Sequence, residues 1–262
     1  MTGCWRRWSV RSTRDGSGRH RCGRRERAAP CTLPLRWHGS DGMIETPRLV
    51  EYLDDLLGAA SIRDYAPNGW QLEGSPRIER LMTGVTACQP LLEAAAAWGA
   101  DALLVHHGWF WKNEPAAITG MKHRRVRTAL EANCNLLAYH LPLDVHPVFG
   151  NNAHLGRRLG ATVAGQSEVA GVPGLLWHGH LAEPVGESAF AARIEQGLAR
   201  EPTWVSAGHE RIRSVAWCTG GGQDFVDAAA DMGVEAFVTG EISERTTHCA
   251  RERGVAFFAA GH

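Results

Sequence analysis

The chain has no run of eighteen or more uncharged apolar residues, so nothing in it reads as a membrane-spanning helix. Its 7 cysteines fall in no zinc-site or disulfide spacing, which removes the Cys-clamped metal modules and the small disulfide-framed secreted domains. No serine sits in a nucleophile-elbow motif, and Gly220-Gly-Gly is short of a dinucleotide fingerprint. Lysine is missing from residues 1–42, which hold ten Arg against Asp15, Glu26 and Asp41. The formal net charge of zero therefore conceals a head of +7 and a body of −7.

That head also lacks the apolar stretch of a secretory signal and any sustained apolar period, so it is expected to be a disordered extension outside the fold. A basic arm suits nucleic acid or a targeting leader. The simpler reading is an upstream start codon, because Met43 opens like a native start, with Thr46 as a helix N-cap and Pro47 at the first helical position. Nucleic acid and membrane are accordingly not expected as partners. Cys88, Cys134, Cys218 and Cys249 lie singly among apolar neighbours and read as reduced core thiols of a cytoplasmic protein.

What the body does have is adjacent histidines, His106 and His107, at the exit of the apolar run Ala102-Leu-Leu-Val and before Gly108. In a continuing strand neighbouring side chains face opposite ways; a strand ending at Val105 lets both imidazoles turn outward as metal ligands. From Arg80 onward strand-like and helix-like periods alternate: Leu81 to Ala87, helix from Pro90 to Trp98, Ala102 to Val105, helix from Lys122 to Ala132, Asn135 to Tyr139. The tail repeats the plan: Ser214 to Cys218, helix Asp224 to Asp231, Ala236 to Thr239, helix Ser243 to Arg253, Val255 to Ala260. Such alternation predicts an α/β fold with helices on the faces of a mostly parallel sheet.

A shift of 134 residues lays Gln89 on Gln223, Gly99 on Gly233, Ala102 on Ala236 and His107 on Glu241, the signature of an internal duplication. The boundaries expected are 43–165 for one α/β unit and 166–262 for the other. Strand tips then carry His106 and His107, His140, Glu241 and His262, and parallel strands deliver their carboxyl ends to one edge. Asp144 follows His140 in His-Leu-Pro-Leu-Asp, where Pro142 is expected to prevent helix and let a loop return the carboxylate. The plainer alternative for Asp144 is a turn cap. Trp109, Phe110 and Trp111 suit core or subunit contact better than base stacking. Gly220-Gly-Gly is a candidate phosphate cradle or merely a tight turn, and His123, Arg124, Arg125 and Arg127 read as a solvated helix face. Ser188 and Ser243 are candidate helix caps.

Val105-His-His-Gly108, His140-Leu-Pro-Leu-Asp144, Gly150-Asn-Asn-Ala-His-Leu-Gly156, Thr239-Gly-Glu241, Ala260-Gly-His262 and Asn68-Gly-Trp-Gln71 together resemble the Nif-three-like dinuclear-metal family, whose bacterial members are called GTP cyclohydrolase 1 type 2 homologues. The resemblance covers residues 43 to 262 in order. It implies two similar intertwined three-layer α/β/α domains, a toroidal homohexamer, and a site for two divalent ions, iron or zinc, with His106, His107, Asp144 and His262 as ligands. His140 is expected to orient Asp144 or touch substrate, and Glu241 to act beside it in catalysis. The family continues Ala-Gly-His with a Glu four residues later. This chain stops at His262, so it is expected to be truncated, with the second ion weakened.

The activity implied is a metal-dependent hydrolase of a nucleotide or related heterocycle, in which a metal-activated hydroxide attacks an electrophilic carbon. The alternatives are a two-metal phosphoesterase, and a metal-binding hexameric scaffold or regulator without turnover.

Overall fold

The computed structural model describes residues 42–262, and of the preceding segment only the backbone of strand β1 (Arg7–Ser9). The expectation of a disordered head lies otherwise outside the described residues. After β1 come β2 (Ile44–Glu45), α1 (Thr46–Leu57), β3 (Gly69–Leu72), β4 (Arg77–Ile78), β5 (Arg80–Thr86), α2 (Gln89–Trp98), β6 (Ala102–His107), α3 (Gly120–Glu131) and β7 (Asn135–Ala138). Five of these strands form a sheet in the order β1-β5-β6-β7-β3, and β2 pairs with β4. β1 is antiparallel to β5, Trp8 opposite Leu81.

The remainder is α4 (Leu141–Val145), α5 (Asn151–Leu159), β8 (Ala161–Val169), β9 (Val172–Val185), α6 (Glu187–Leu198), β10 (Thr203–Val205), β11 (Ile212–Trp217), α7 (Val226–Asp231), β12 (Ala236–Thr239), α8 (Glu244–Arg253) and β13 (Ala256–Ala259). Its six-stranded sheet has the order β10-β13-β12-β11-β9-β8. β11, β12 and β13 run parallel at its centre, while β9 and β10 join antiparallel. Among the described residues no helix is long and apolar enough to cross a membrane.

The described residues partition into two compact units, each drawn from separated stretches: those up to 52 with 70–105 and 115–137 in one, and 53–69, 106–114 and 138–262 in the other. Within the second, each central strand alternates between two cores. Val215, Trp217, Val238 and Phe258 pack with Leu155, Leu159, Phe190 and Ile194 from α5 and α6. Ala216, Phe237 and Phe257 pack with Leu141, Ala229 and Ala250 from α4, α7 and α8. Period-two alternation with apolar residues on both faces is what a sheet covered by helices on each side demands.

A recurring device marks one helix–strand connection in each unit, α2–β6 and α7–β12. The Asp101 carboxylate accepts the backbone N–H groups of Glu79 and Arg80, and Glu235 accepts those of Arg213 and Ser214, the same pairs at the 134-residue shift. Gly99 and Gly233 stop the preceding helices at φ 70, a left-handed conformation that favours glycine. A carboxylate at the equivalent position therefore pins the preceding strand in both places, Asp101 in one and Glu235 in the other.

Several local expectations need correction. β6 does not end at Val105 but continues through His107. Pro142 does not prevent helix: it lies in the first turn of α4, where an absent N–H leaves no intrahelical bond unmade. The helix expected from Asp224 is a 3-10 turn over Gln223–Phe225 followed by α7. Thr46 donates its hydroxyl to Ser75 O at 2.7 Å rather than capping α1, and Ser188 lies inside α6 behind Gly186. Ser243 does cap α8, accepting from Thr246 N. Unforeseen was the β8–β9 hairpin, reversed at Ala170 and Gly171 with φ 53 and 73, the signs of a type I′ turn.

Candidate metal centre

All residues of the candidate site belong to the second unit. His106 and His107 leave β6 with their rings 4.5 Å apart despite the strand geometry, and His140 follows β7, its ring 5.0 Å from His106 and 5.7 Å from His107. Donor nitrogens of these three rings lie within 4.8 Å of one another. Asp144, on α4, brings Oδ2 to 3.6 Å from His106 Nε2. His262, beyond β13, brings Nε2 to 3.2 Å from His107 Nε2. The structure thus gathers His106, His107, His140, Asp144 and His262. Glu241 stands beside them through His262 Nδ1, 2.8 Å from its Oε1.

The orientation of each group has a visible cause. His106 Nδ1 lies 3.0 Å from Tyr139 O, so the ring donates there and leaves the Nε2 lone pair for the cluster. His140 Nδ1 lies 3.0 Å from Asp64 Oδ1, and His262 Nδ1 faces Glu241 in the same way. Asp144 Oδ1 accepts from Asn151 Nδ2 at 2.7 Å and Thr219 Oγ1 at 3.1 Å, which leaves Oδ2 for His106. Burial, with the neighbouring imidazoles of His106, His262 and His140, pulls His107 down to about 4. Burial lowers His106 as well, against the opposing pull of Asp144. These rings are held neutral, the form that binds metal.

Asp64 is the residue that sequence reasoning missed. Its carboxylate accepts from Tyr65 N, Ala66 N, Asn68 Nδ2, His140 Nδ1 and Leu141 N. Burial pushes it up, but the bonds from His140, Asn68 and Leu141 outweigh that and hold it at about 2. The one local signal was Asp-x-x-Pro ahead of Asn68, an Asx turn. Asn68 also accepts His140 N at 2.7 Å, which explains the Asn of its motif.

Glycine is required around the cluster for close packing. A Cβ on Gly240 would stand 2.5 Å from Gly220 O, and one on Gly222 would stand 2.9 Å from Thr239 Oγ1. Gly220 itself has φ 75. Tight turning therefore accounts for Gly220 and Gly222 without any bound phosphate. Trp109 is core, 3% exposed, whereas the Trp111 ring lies 5.9 Å from His107 and 5.1 Å from His140. A cavity of about 450 Å³ opens beside the cluster, lined among others by His106, His140, Asp144, Thr219 and His262.

Cys218 also borders this cavity, yet burial, then the charge of Asp144, pushes its thiol up to about 12. Burial does the same to Cys134. Neither should be alkylated by iodoacetamide at pH 8 in the folded chain, since the thiolate is the reacting form; both should label after denaturation. Peptide mass mapping reads this, and rapid labelling of either in the native protein would contradict the packing described.

Fold and site define an α/β protein with a partly buried histidine–carboxylate cluster at strand exits. The chain matches the Duf34/NIF3 (NGG1p interacting factor 3) family over residues 44–262 and belongs to it. It is 51% identical over 214 residues to the GTP cyclohydrolase 1 type 2 homolog of Pseudomonas aeruginosa, covering 82% of this chain and 84% of that protein. To the protein of that name from Escherichia coli K12 it is 50% identical over 220 residues, 84% of this chain and 87% of the other. Among solved structures, ybgI, described as of unknown function, superposes with TM-score 0.80 at 49% identity, covering 84% and 87%. A protein from Thermus thermophilus gives 0.74 at 31%, with the same coverage.

Proposed function

We propose that this chain is a metal-dependent hydrolase acting on a nucleotide or related heterocycle, with His106, His107, Asp144 and His262 as ligands of divalent iron or zinc. The observation that carries the reading is the shared orientation of two of these ligands, His106 and His262, with His140 turned the same way beside them. Each directs Nδ1 to a carbonyl or carboxylate and leaves Nε2 for the cluster, the arrangement that second partners impose on metal-binding imidazoles. The 3.2 Å between the Nε2 atoms of His107 and His262 suits two ligands at about 2.0–2.1 Å from one tetrahedral ion, which lie roughly 3.3 Å apart. A divalent ion here supplies Lewis acidity and lowers the pKa of a coordinated water.

The chain's own residues do the rest. Tyr139 O and Glu241 hold their histidines in one tautomer, Asn151 and Thr219 keep Asp144 turned toward His106, and Asp64 fixes His140, whose Nε2 is available to orient substrate or pass a proton at the cavity wall. Three neutral imidazoles and one carboxylate offset the charge of two dications poorly, so one ion is expected to bind tightly and the second more weakly. The names of the curated relatives favour a cyclohydrolase, in which water adds to a ring carbon, over a phosphoesterase or a scaffold without turnover. The toroidal homohexamer is part of the same proposal, supported by family membership, and light scattering after size-exclusion chromatography reads it directly.

Metal-free full chain titrated with zinc or ferrous iron should take up one equivalent tightly, and His106→Ala or His107→Ala should weaken uptake at least about tenfold. Uptake unchanged in both variants would sink the ligand assignment. A nucleotide panel with base absorbance and phosphate release followed separately then tests the reaction. A change in the base without phosphate marks the cyclohydrolase, phosphate alone the phosphoesterase, and silence with metal bound the scaffold.

A further inference from the structure

Two of the charged residues that line the cavity take no part in the metal cluster. Four charged residues line the cavity besides its histidines: Asp64, Asp144, Arg63 and Lys112. Both carboxylates are engaged, Asp64 by its five donors and Asp144 by Asn151, Thr219 and the metal cluster to which it is assigned. The two cations are not. Among the described residues neither Arg63 nor Lys112 has an ion pair or a side-chain hydrogen bond, and both side chains are exposed. The cavity therefore presents two cationic side chains without a partner, while its two carboxylates are turned to their hydrogen-bond donors and to the cluster.

Their placement follows from Asp64. Arg63 and Tyr65 flank it in sequence, and its buried carboxylate ties the segment to His140 and Leu141, while its neighbours on either side are exposed. Tyr65 O accepts Lys112 N at 2.8 Å, which stitches the segment carrying Lys112 beside Tyr65. Tyr65 is 53% exposed and borders the same cavity, its ring edge-on to His140 at 5.1 Å. The other lining stretches, Ala170–Val172 and Gly220–Gly222, bear no charge. At Gly221 a Cβ would meet nothing closer than 3.7 Å, so that side leaves room for a ligand.

We infer that Arg63 and Lys112 grip the phosphate of a phosphorylated ring-bearing small molecule, with Tyr65 as the apolar platform for its ring. A guanidinium fork and an ammonium lining one cavity suit a multiply charged oxyanion. The inference deepens the hydrolase reading and rests on it for the fate of the ligand, though not for its binding.

The test is calorimetric binding of GMP, guanosine, inorganic phosphate and citrate to metal-free full chain, with zinc uptake measured on the same preparations. GMP should bind at least tenfold more tightly than guanosine, weaken with added salt, and lose at least tenfold in Arg63→Ala and in Lys112→Ala. Inorganic phosphate should compete with GMP better than citrate does. Guanosine affinity and zinc uptake should match the wild type in both variants, which keeps loss of folding from being mistaken for loss of the anion site. Absence of GMP binding at millimolar concentration, equal affinity for guanosine, or unaltered GMP affinity in both variants would overturn the inference; so would citrate displacing GMP better than phosphate. If wild-type chain takes up no zinc while the GMP pattern holds, the metal reading fails and the anion site stands.

Discussion

Asp64→Asn is expected to release the His140 ring from its place beside the metal cluster, 5.0 Å from His106 and 5.7 Å from His107, and to destabilise the fold, although neither Asp64 nor His140 is among the assigned ligands. A carboxylate accepts at both oxygens, and here both are filled: Oδ1 by Tyr65 N, Ala66 N and His140 Nδ1, Oδ2 by Asn68 Nδ2 and Leu141 N. An amide can accept on one side only. Whichever way it turns, its NH₂ meets donors, and a side chain only 3% exposed has no water to relieve the conflict. The cost in stability should be about 2–4 kcal/mol, from one or two buried donors left without an acceptor.

The same substitution has a pH signature. The carboxyl is held at about 2, below its ordinary 3.8, so its charged form stabilises the fold. That contribution is complete above the ordinary value and is lost as pH falls through about 2. The stability difference between wild type and Asp64→Asn should be level from pH 7 to about 5 and shrink below about 4, as read by urea denaturation. A difference independent of pH would show that the carboxylate charge is not what matters.

Trp217→Ala should destabilise the fold by about 3–5 kcal/mol. Trp217 is 0% exposed and donates Nε1 to Asn152 O at 2.9 Å. Its ring fills the space left by Gly156, where a Cβ would stand 2.6 Å away, and lies 6.2 Å from Trp177. Alanine would leave a cavity between β11 and α5 that neither can collapse into without breaking its own hydrogen bonds. Because Asn152 also accepts Thr219 N at 2.8 Å, and Thr219 bonds Asp144, the loss should reach the metal cluster as weaker zinc uptake. Thermal unfolding with and without zinc measures both, and a variant as stable as wild type would refute the packing argument.

Much of the architecture is legible along the chain because its signals are local. Strands β5, β6, β7, β11, β12 and β13 announce themselves as short apolar runs, and Gly99, Gly233 and Gly254 mark helix ends by the left-handed backbone they permit. The β8–β9 hairpin is not legible in this way, because β8 alternates mostly exposed residues and its turn begins with Ala170, an uncommon residue at positive φ. The site's histidines were legible by position, as strand exits; the residues that aim them were not. Asp64 precedes His140 by 76 positions and Asn152 precedes Trp217 by 65, and no period or spacing marks such a pair.

The sequence by itself determined the alternating α/β plan, the family, and the five residues His106, His107, His140, Asp144 and His262 that meet at one place. These follow from hydrophobic period, glycine and proline chemistry, and motifs that are contiguous in the chain. Only the tertiary structure decided which face each imidazole presents, that Glu241 serves His262, that Pro142 opens a helix, and that Arg63 and Lys112 share a cavity wall. Those are matters of side-chain direction and of neighbours distant in sequence. They are set by which donors and acceptors burial leaves within reach, and that is known only when the chain has closed on itself.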